Sequence, residues 1–265
     1  MYPFTYHQPD SVRQAASVAG KAEDAKFLAG GMTLLPTMKQ RLASPANLID
    51  LSKIGDLAGI EVKGRSVVIG AMTRHFDVAN SKELQAAIPA LADLAGMIGD
   101  PAVRNRGTIG GSLANNDPAA DYPAAALALG ATIITNKRKI EAEDYFTGLF
   151  ETALEEGEII TSISFPVPEK ANYQKFRNPA SRYALVGVFV AKTGGHVRVA
   201  VTGAGASGVF RVADFEAALE ANFAPAALDG HSVSASGLNS DIHADAEYRA
   251  HLITVMAKRA VAAAG

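Results

Sequence analysis

Three glycine-rich turns are the segments of this chain whose residue types and spacing could do chemistry. Ala29-Gly30-Gly31-Met32-Thr33-Leu34 and Thr108-Ile109-Gly110-Gly111-Ser112 each combine paired glycines with hydroxyls. Without a β-carbon the backbone N–H groups can approach a ligand, and hydroxyls donate to phosphate oxygens. Neither turn carries a lysine or the G-x-x-x-x-G-K-[ST] pattern of nucleotide-hydrolysing loops. As a pair they fit a diphosphate held by neutral donors, while a Gly-Gly pair alone is as readily a plain turn. The third, Gly203-Ala204-Gly205-Ala206-Ser207-Gly208, is a literal G-x-G-x-x-G between a strand-like and a helix-like segment. A dinucleotide unit needs a second parallel strand ending in an acidic residue after that helix. Here the helix runs into Asn222-Phe223-Ala224-Pro225 and polar chain, so the pattern reads as a strand-to-loop turn.

Single residues give weaker signals. Asp121 either caps a helix beginning near Pro123 or contacts a ligand. Asp117, before Pro118, reads as a turn residue, and Arg104 and Arg106 either pair with surface acids or lie near a diphosphate. Tyr183 either packs or approaches a bound group. The six histidines show no close ligand spacing. The chain has no cysteine, which excludes disulfides, thiolate zinc sites, a thiol nucleophile and Cys-ligated iron–sulfur clusters. With 25 basic and 27 acidic residues the formal charge is -2, which argues against nucleic acid as a partner.

These turns need elements to hold them. In 265 residues, Ser11 to Ala19 reads as a helix stopped by Gly20, and Ala25 to Ala29 as a strand running into the first turn. Thr33 to Leu42 reads as the next helix, tolerating Pro36 in its first turn. Asn47 to Leu51 and Ser66 to Ile69 read as strands, and Ser81 to Ile98 as a helix interrupted near Pro89. Arg104 to Pro118 reads as a long loop, Tyr122 to Gly130 as a helix packed on a sheet, and Ala131 to Ile134 and Glu158 to Phe165 as strands. After Pro168 come strands at Tyr173 to Phe176, Ala184 to Lys192 and His196 to Thr202, the last two joined at Thr193-Gly194-Gly195. Helices follow at Asp214 to Ala221 and Glu247 to Ala263. The boundary between two units falls near residue 170. The longest nearly continuous apolar run, Ala124 to Ile134, is shorter than the roughly 18 residues that span a bilayer. The opening residues lack the pattern of a signal peptide, so a cytoplasmic location is expected.

The first turn, extended to Leu35-Pro36, and the run from Arg104-Asn105-Arg106-Gly107-Thr108 through Gly110-Gly111-Ser112-Leu113-Ala114-Asn115-Asn116-Asp117-Pro118 to Asp121 together resemble the FAD-binding subunits of the molybdenum hydroxylases. The group includes the medium subunit of aerobic carbon monoxide dehydrogenase. Phe4 to Ser11, Lys175 to Val190, Arg198-Val199-Ala200 and Arg211 to Leu219 are similar to it too. The resemblance implies an α+β chain, with a PCMH-type FAD-binding fold over residues 1–170 made of two α/β subdomains, about 1–55 and 56–170. A smaller antiparallel-sheet-plus-helices domain over residues 171–265 follows.

It also implies that Phe27, Leu28, Ala29, Gly30, Gly31, Met32, Thr33 and Leu34 line one part of FAD, and Thr108, Ile109, Gly110, Gly111 and Ser112 another. Asp121 matches the flavin-contacting acid, Ile98 and Ile160 apolar contacts, and Lys175 or Arg177 a basic one. Asn115-Asn116 departs from many relatives. By the same resemblance the chain is an oxidoreductase subunit with no catalytic acid or base and no metal of its own. Electrons come from a large molybdenum-pterin subunit through two [2Fe-2S] clusters on a small subunit, reach FAD here, and pass to an external acceptor. The implied assembly is a dimer of heterotrimers. The other readings are a stand-alone FAD-dependent oxidoreductase of the same fold, and a scaffold that has lost its flavin.

Overall fold

The computed structural model describes residues 1–264. The first stretch contains β1 (Thr5–His7), α1 (Val12–Ala19), β2 (Ala25–Leu28), α2 (Leu34–Lys39) and β3 (Asn47–Asp50). Its strands form a parallel sheet in the order β1-β3-β2. Parallel neighbours cannot be joined by a tight turn, and the helices carry the chain across. Ser11 caps α1 by accepting from the Gln14 amide, and Gly20 closes it. The helix expected from Thr33 to Leu42 stops at Lys39, because Arg41 turns left-handed (φ +64°) and the Leu42 amide bonds back to the Thr37 carbonyl.

The second stretch runs through β4 (Ile60–Lys63), β5 (Ser66–Gly70), α3 (His75–Asn80), α4 (Lys82–Ala87), α5 (Pro89–Gly96), α6 (Pro101–Arg104), α7 (Ile109–Asn115), α8 (Tyr122–Leu129), β6 (Thr132–Thr135), β7 (Lys139–Glu141), α9 (Ala142–Tyr145), β8 (Phe146–Gly148), β9 (Glu151–Thr152) and β10 (Ile160–Pro166). Five of these strands make an antiparallel sheet, β4-β5-β10-β6-β7. The helix expected over Ser81 to Ile98 is two helices, broken at Ile88, whose extended φ of -140° is what a following proline demands. The expected loop from Arg104 to Pro118 is a correction of a different kind. It contains the end of α6 and all of α7, with Thr108 capping α7 by accepting from the Gly111 amide.

The third stretch holds β11 (Lys170–Arg177), β12 (Ala184–Thr193), β13 (His196–Thr202) and β14 (Phe210–Arg211), paired in that order and antiparallel. It ends with α10 (Ala213–Ala221) and α11 (Ala246–Ala263). The β12–β13 hairpin turns at Gly194 and Gly195, both with positive φ. The architecture is α+β.

Every residue of α8 is buried. A helix apolar on all sides must be enclosed, and its small Ala-rich surface fits between two sheets. One core cluster accordingly runs from Ile69 and Ile163 through Ala124 to Ala128 and on to Tyr173, Phe189 and Ala200. A second core joins β12 and β13 to α10 and α11. α8 therefore lies between the central and the C-terminal sheets.

Candidate functional site

The first glycine turn leaves the C-terminal end of β2, an edge strand of the parallel sheet. Among the described residues, the amides of Gly30, Gly31, Met32 and Thr33 donate to no backbone acceptor. Gly31 has φ +74°, the left-handed conformation found where successive amides form an anion-binding concavity. All the residues from Phe27 to Leu34 are partly or fully solvent-accessible. A run of free, accessible amides is the donor set that an anionic oxygen cluster requires. α2 is only six residues long, so the turn's own amides rather than a helix dipole supply the attraction.

The second turn lies directly against the first. A β-carbon on Gly30 would stand 2.7 Å from the Arg106 carbonyl carbon and 2.8 Å from the Gly107 Cα, and one on Gly111 would stand 3.3 Å from the Ala29 Cβ. Its amides are spent inside the protein: Ile109 donates to the Thr73 carbonyl, Gly110 to the Ala71 carbonyl and Gly111 to the Thr108 hydroxyl. Thr108, Ile109 and Gly110 are buried, while Gly111 and Ser112 are half-exposed. The second turn thus packs against the first, with Ser112 partly exposed one residue beyond the Gly111–Ala29 approach.

Asp121 lies at the start of α8 but does not cap it. Its carboxylate accepts from the Tyr173 hydroxyl at 2.5 Å and from Lys175 Nζ at 2.9 Å. Both side chains of the ion pair are almost fully buried. Burial pushes the Asp121 carboxyl up, with the Lys175 ammonium, the Tyr173 hydroxyl and the Arg177 charge pulling it back. Tyr173, Lys175 and Arg177 alternate along β11, so one face of the strand meets Asp121. Lys175 also donates to the Met97 carbonyl, which brings the residue next to Ile98 into the group. Arg177 is exposed. Tyr183 is half-exposed, and burial together with the nearby Asp117 and Asp121 charges pushes its hydroxyl pKa up. Ile160 is buried in the core strand β10, beside the irregularity that shifts β10 against β6.

Other candidates have structural work. Arg104 donates to the Ile98 and Gly99 carbonyls after α5, and Asp117 forms a turn with the Ala119 amide. Asn116 takes a left-handed φ of +43° and donates through Nδ2 to the Gly148 and Glu151 carbonyls, fastening the β8–β9 hairpin. The Gly203 to Gly208 run joins β13 to β14 in an antiparallel sheet, which removes the parallel strand a dinucleotide site would use. Sequence reasoning missed Tyr173, whose signal was its place two residues before Lys175 on a strand.

Residues 2–168 match the model of the FAD binding domain in molybdopterin dehydrogenase. The chain is 37% identical over 277 residues to the carbon monoxide dehydrogenase medium chain of Hydrogenophaga pseudoflava, covering 98% of this chain and 96% of that one. It is 36% identical over 275 residues to the nicotine 6-hydroxylase medium subunit of Paenarthrobacter nicotinovorans, covering 98% and 96%. The solved carbon monoxide dehydrogenase from Hydrogenophaga pseudoflava that lacks the Mo-pyranopterin moiety superposes with a TM-score of 0.89 at 38% identity, over 100% of this chain and 98% of that chain.

Proposed function

Because the chain belongs to the FAD-binding medium subunits of the molybdenum hydroxylases, we propose that it carries electrons from iron–sulfur clusters on a partner subunit, through FAD, to an external acceptor. FAD supplies a redox centre that exchanges one or two electrons. The observation that carries the reading is the set of free amides from Gly30 to Thr33, packed against the second turn. These amides, with the Ser112 hydroxyl, hold the diphosphate. Asp121 retains lone pairs for the flavin ring, and Tyr173 and Lys175 fix its orientation. Thr108 to Gly110 and Ile98 set the walls, and Ile160 supports them from within β10. Arg177 adds positive charge at the open side.

No side chain here is asked to act as a general acid or base. With no cysteine, the chain draws its clusters from a small iron–sulfur subunit, and a large molybdenum-pterin subunit chooses the substrate. Comparable identity to medium chains of a carbon monoxide dehydrogenase and of a nicotine hydroxylase supports that division. A dimer of heterotrimers in the cytoplasm is the assembly proposed. Residues 1–170 form the FAD-binding part, divided near residue 55, and residues 171–265 complete the site through β11.

Purified with its partners, the protein should show a bound-flavin absorption spectrum, and acid release should yield FAD rather than FMN. A colourless chain that takes up no added FAD would overturn the proposal.

A further inference from the structure

The run Gly203 to Gly208 has the wrong topology for a dinucleotide, yet its first residue and the threonine before it grip the segment that carries Asp121. Thr202 is fully buried and donates its hydroxyl to the Ala120 carbonyl at 2.6 Å, with the Pro118 carbonyl at 3.1 Å from the same oxygen. The Gly203 amide donates to the Pro118 carbonyl at 2.8 Å. Both carbonyls lie within three residues before Asp121. Gly203 has φ +83°, and a β-carbon there would stand 3.0 Å from the Ala184 carbonyl carbon and the Leu185 oxygen. Only glycine can turn its amide toward the segment in so little space.

The opposite side of that peptide is held as firmly. Arg249 of α11, buried, donates through Nη1 to the Leu185 carbonyl at 2.7 Å and to the Gly203 carbonyl at 3.1 Å. Its Nη2 donates to Asp241 at 2.7 Å. Gly203 is thus fixed between the guanidinium and the Pro118 carbonyl. Between the end of α7 and the start of α8, the segment's own bonds are the turn closed by the Ala119 and Ala120 amides on Asp117. Asn116 ties its start to the β8–β9 hairpin, and its ties nearer Asp121 come from the C-terminal sheet, at Thr202, Gly203, Tyr173 and Lys175.

We propose that Thr202, Gly203 and Arg249 form a clamp by which the C-terminal unit positions Asp121, and through it sets the affinity of this chain for FAD. The inference rests on the FAD reading above. These are positioning residues, acting through the backbone of Pro118 and Ala120. Removing the Thr202 hydroxyl takes a donor from the Ala120 carbonyl and leaves the Pro118 carbonyl held by the Gly203 amide alone, which loosens the segment.

The test uses the chain co-purified with its partner subunits, stripped of flavin and titrated with FAD. Thr202→Val should raise the dissociation constant about tenfold and alter the absorption band of the bound flavin, and Thr202→Ser should restore both. Arg249→Lys, which keeps the charge and loses the fork, should weaken FAD in the same direction. Val190→Ala removes volume from the same unit's core away from the clamp, and should lower the melting temperature without changing FAD affinity. The clamp is overturned if folded Thr202→Val and Arg249→Lys bind FAD as the unaltered chain does, or if Val190→Ala weakens FAD as much at an equal loss of melting temperature. An unaltered chain that takes up no FAD overturns the FAD reading itself.

Discussion

Gly30→Ala tests the contact between the two turns with one carbon atom. The new Cβ would run into the Arg106–Gly107 peptide: the Arg106 carbonyl oxygen, its carbon at 2.7 Å and the Gly107 Cα at 2.8 Å. Backbone cannot rotate away as a side-chain end can, so the turns must separate by several tenths of an ångström or more. Overpacking of this kind costs about 2 kcal/mol, and if the separation falls on the bound state FAD binds about thirtyfold more weakly. Gly55→Ala is the matched control, since nothing lies within 4 Å of a β-carbon there. The assay is the ratio of FAD to protein after gel filtration, followed by titration of the stripped protein. Gly30→Ala protein with a full complement of flavin and an affinity within twofold of the unaltered chain would refute the argument that close approach of these turns builds the site.

His75 is buried beside Tyr122 and Gly107 with Nδ1 unpartnered, and burial with the Arg104 charge lowers its pKa to about 4. The unfolded chain therefore takes up a proton near pH 6.5 that the folded chain refuses. Stability should be fully present above pH 6.5 and fall by about 3 kcal/mol as pH drops toward 4. Melting curves of His75→Gln should show a flatter slope in that window; an unchanged slope would sink the assignment. Glu158, which burial would raise but its bonds to Arg138, the Glu155 amide and Thr135 lower to about 2, begins to lose its contribution near pH 4.5 in both proteins alike, so the difference between the two curves isolates His75. Lys175→Met should destabilise the chain by about 3 kcal/mol by leaving Asp121 buried without its cation, and adding Asp121→Asn should recover part of that loss in denaturant titrations. Phe150, exposed with φ +57° at the tip of the β8–β9 hairpin, holds a conformation that suits glycine. Phe150→Gly should leave FAD content alone and raise stability by up to about 1 kcal/mol.

How legible these features were depended on how local their causes are. α1 could be read from Ser11, its apolar spacing and Gly20, because a cap acts within one turn of chain. The β12–β13 hairpin could be read from Gly194-Gly195 for the same reason. α7 could not. Ile109 to Asn115 includes two glycines, which disfavour a helix, and its first turn is held by the Ala71 and Thr73 carbonyls, far away in sequence. The short strands β1, β4 and β7 and the helix α3 also passed unread, since three to six residues give too few turns of any period to stand out.

The three glycine turns make the same point about the site. Their sequences are nearly interchangeable, and the structure gives them different work. The first turn leaves its amides free, the second spends its amides on Ala71 and Thr73, and the third directs the Gly203 amide to Pro118. Residue type sets only which backbone positions can come close, and the partner that comes close decides the role. The missing cysteines behave differently, because absence of a ligand atom does not depend on folding. A chain without thiolates cannot itself hold Cys-ligated iron–sulfur clusters, so the electron route proposed above requires them on another chain whatever these loops do. The cysteine count therefore constrains the proposed assembly more firmly than the glycine motifs constrain the site, and it is the FAD titrations at Gly30 and Thr202 that test the latter.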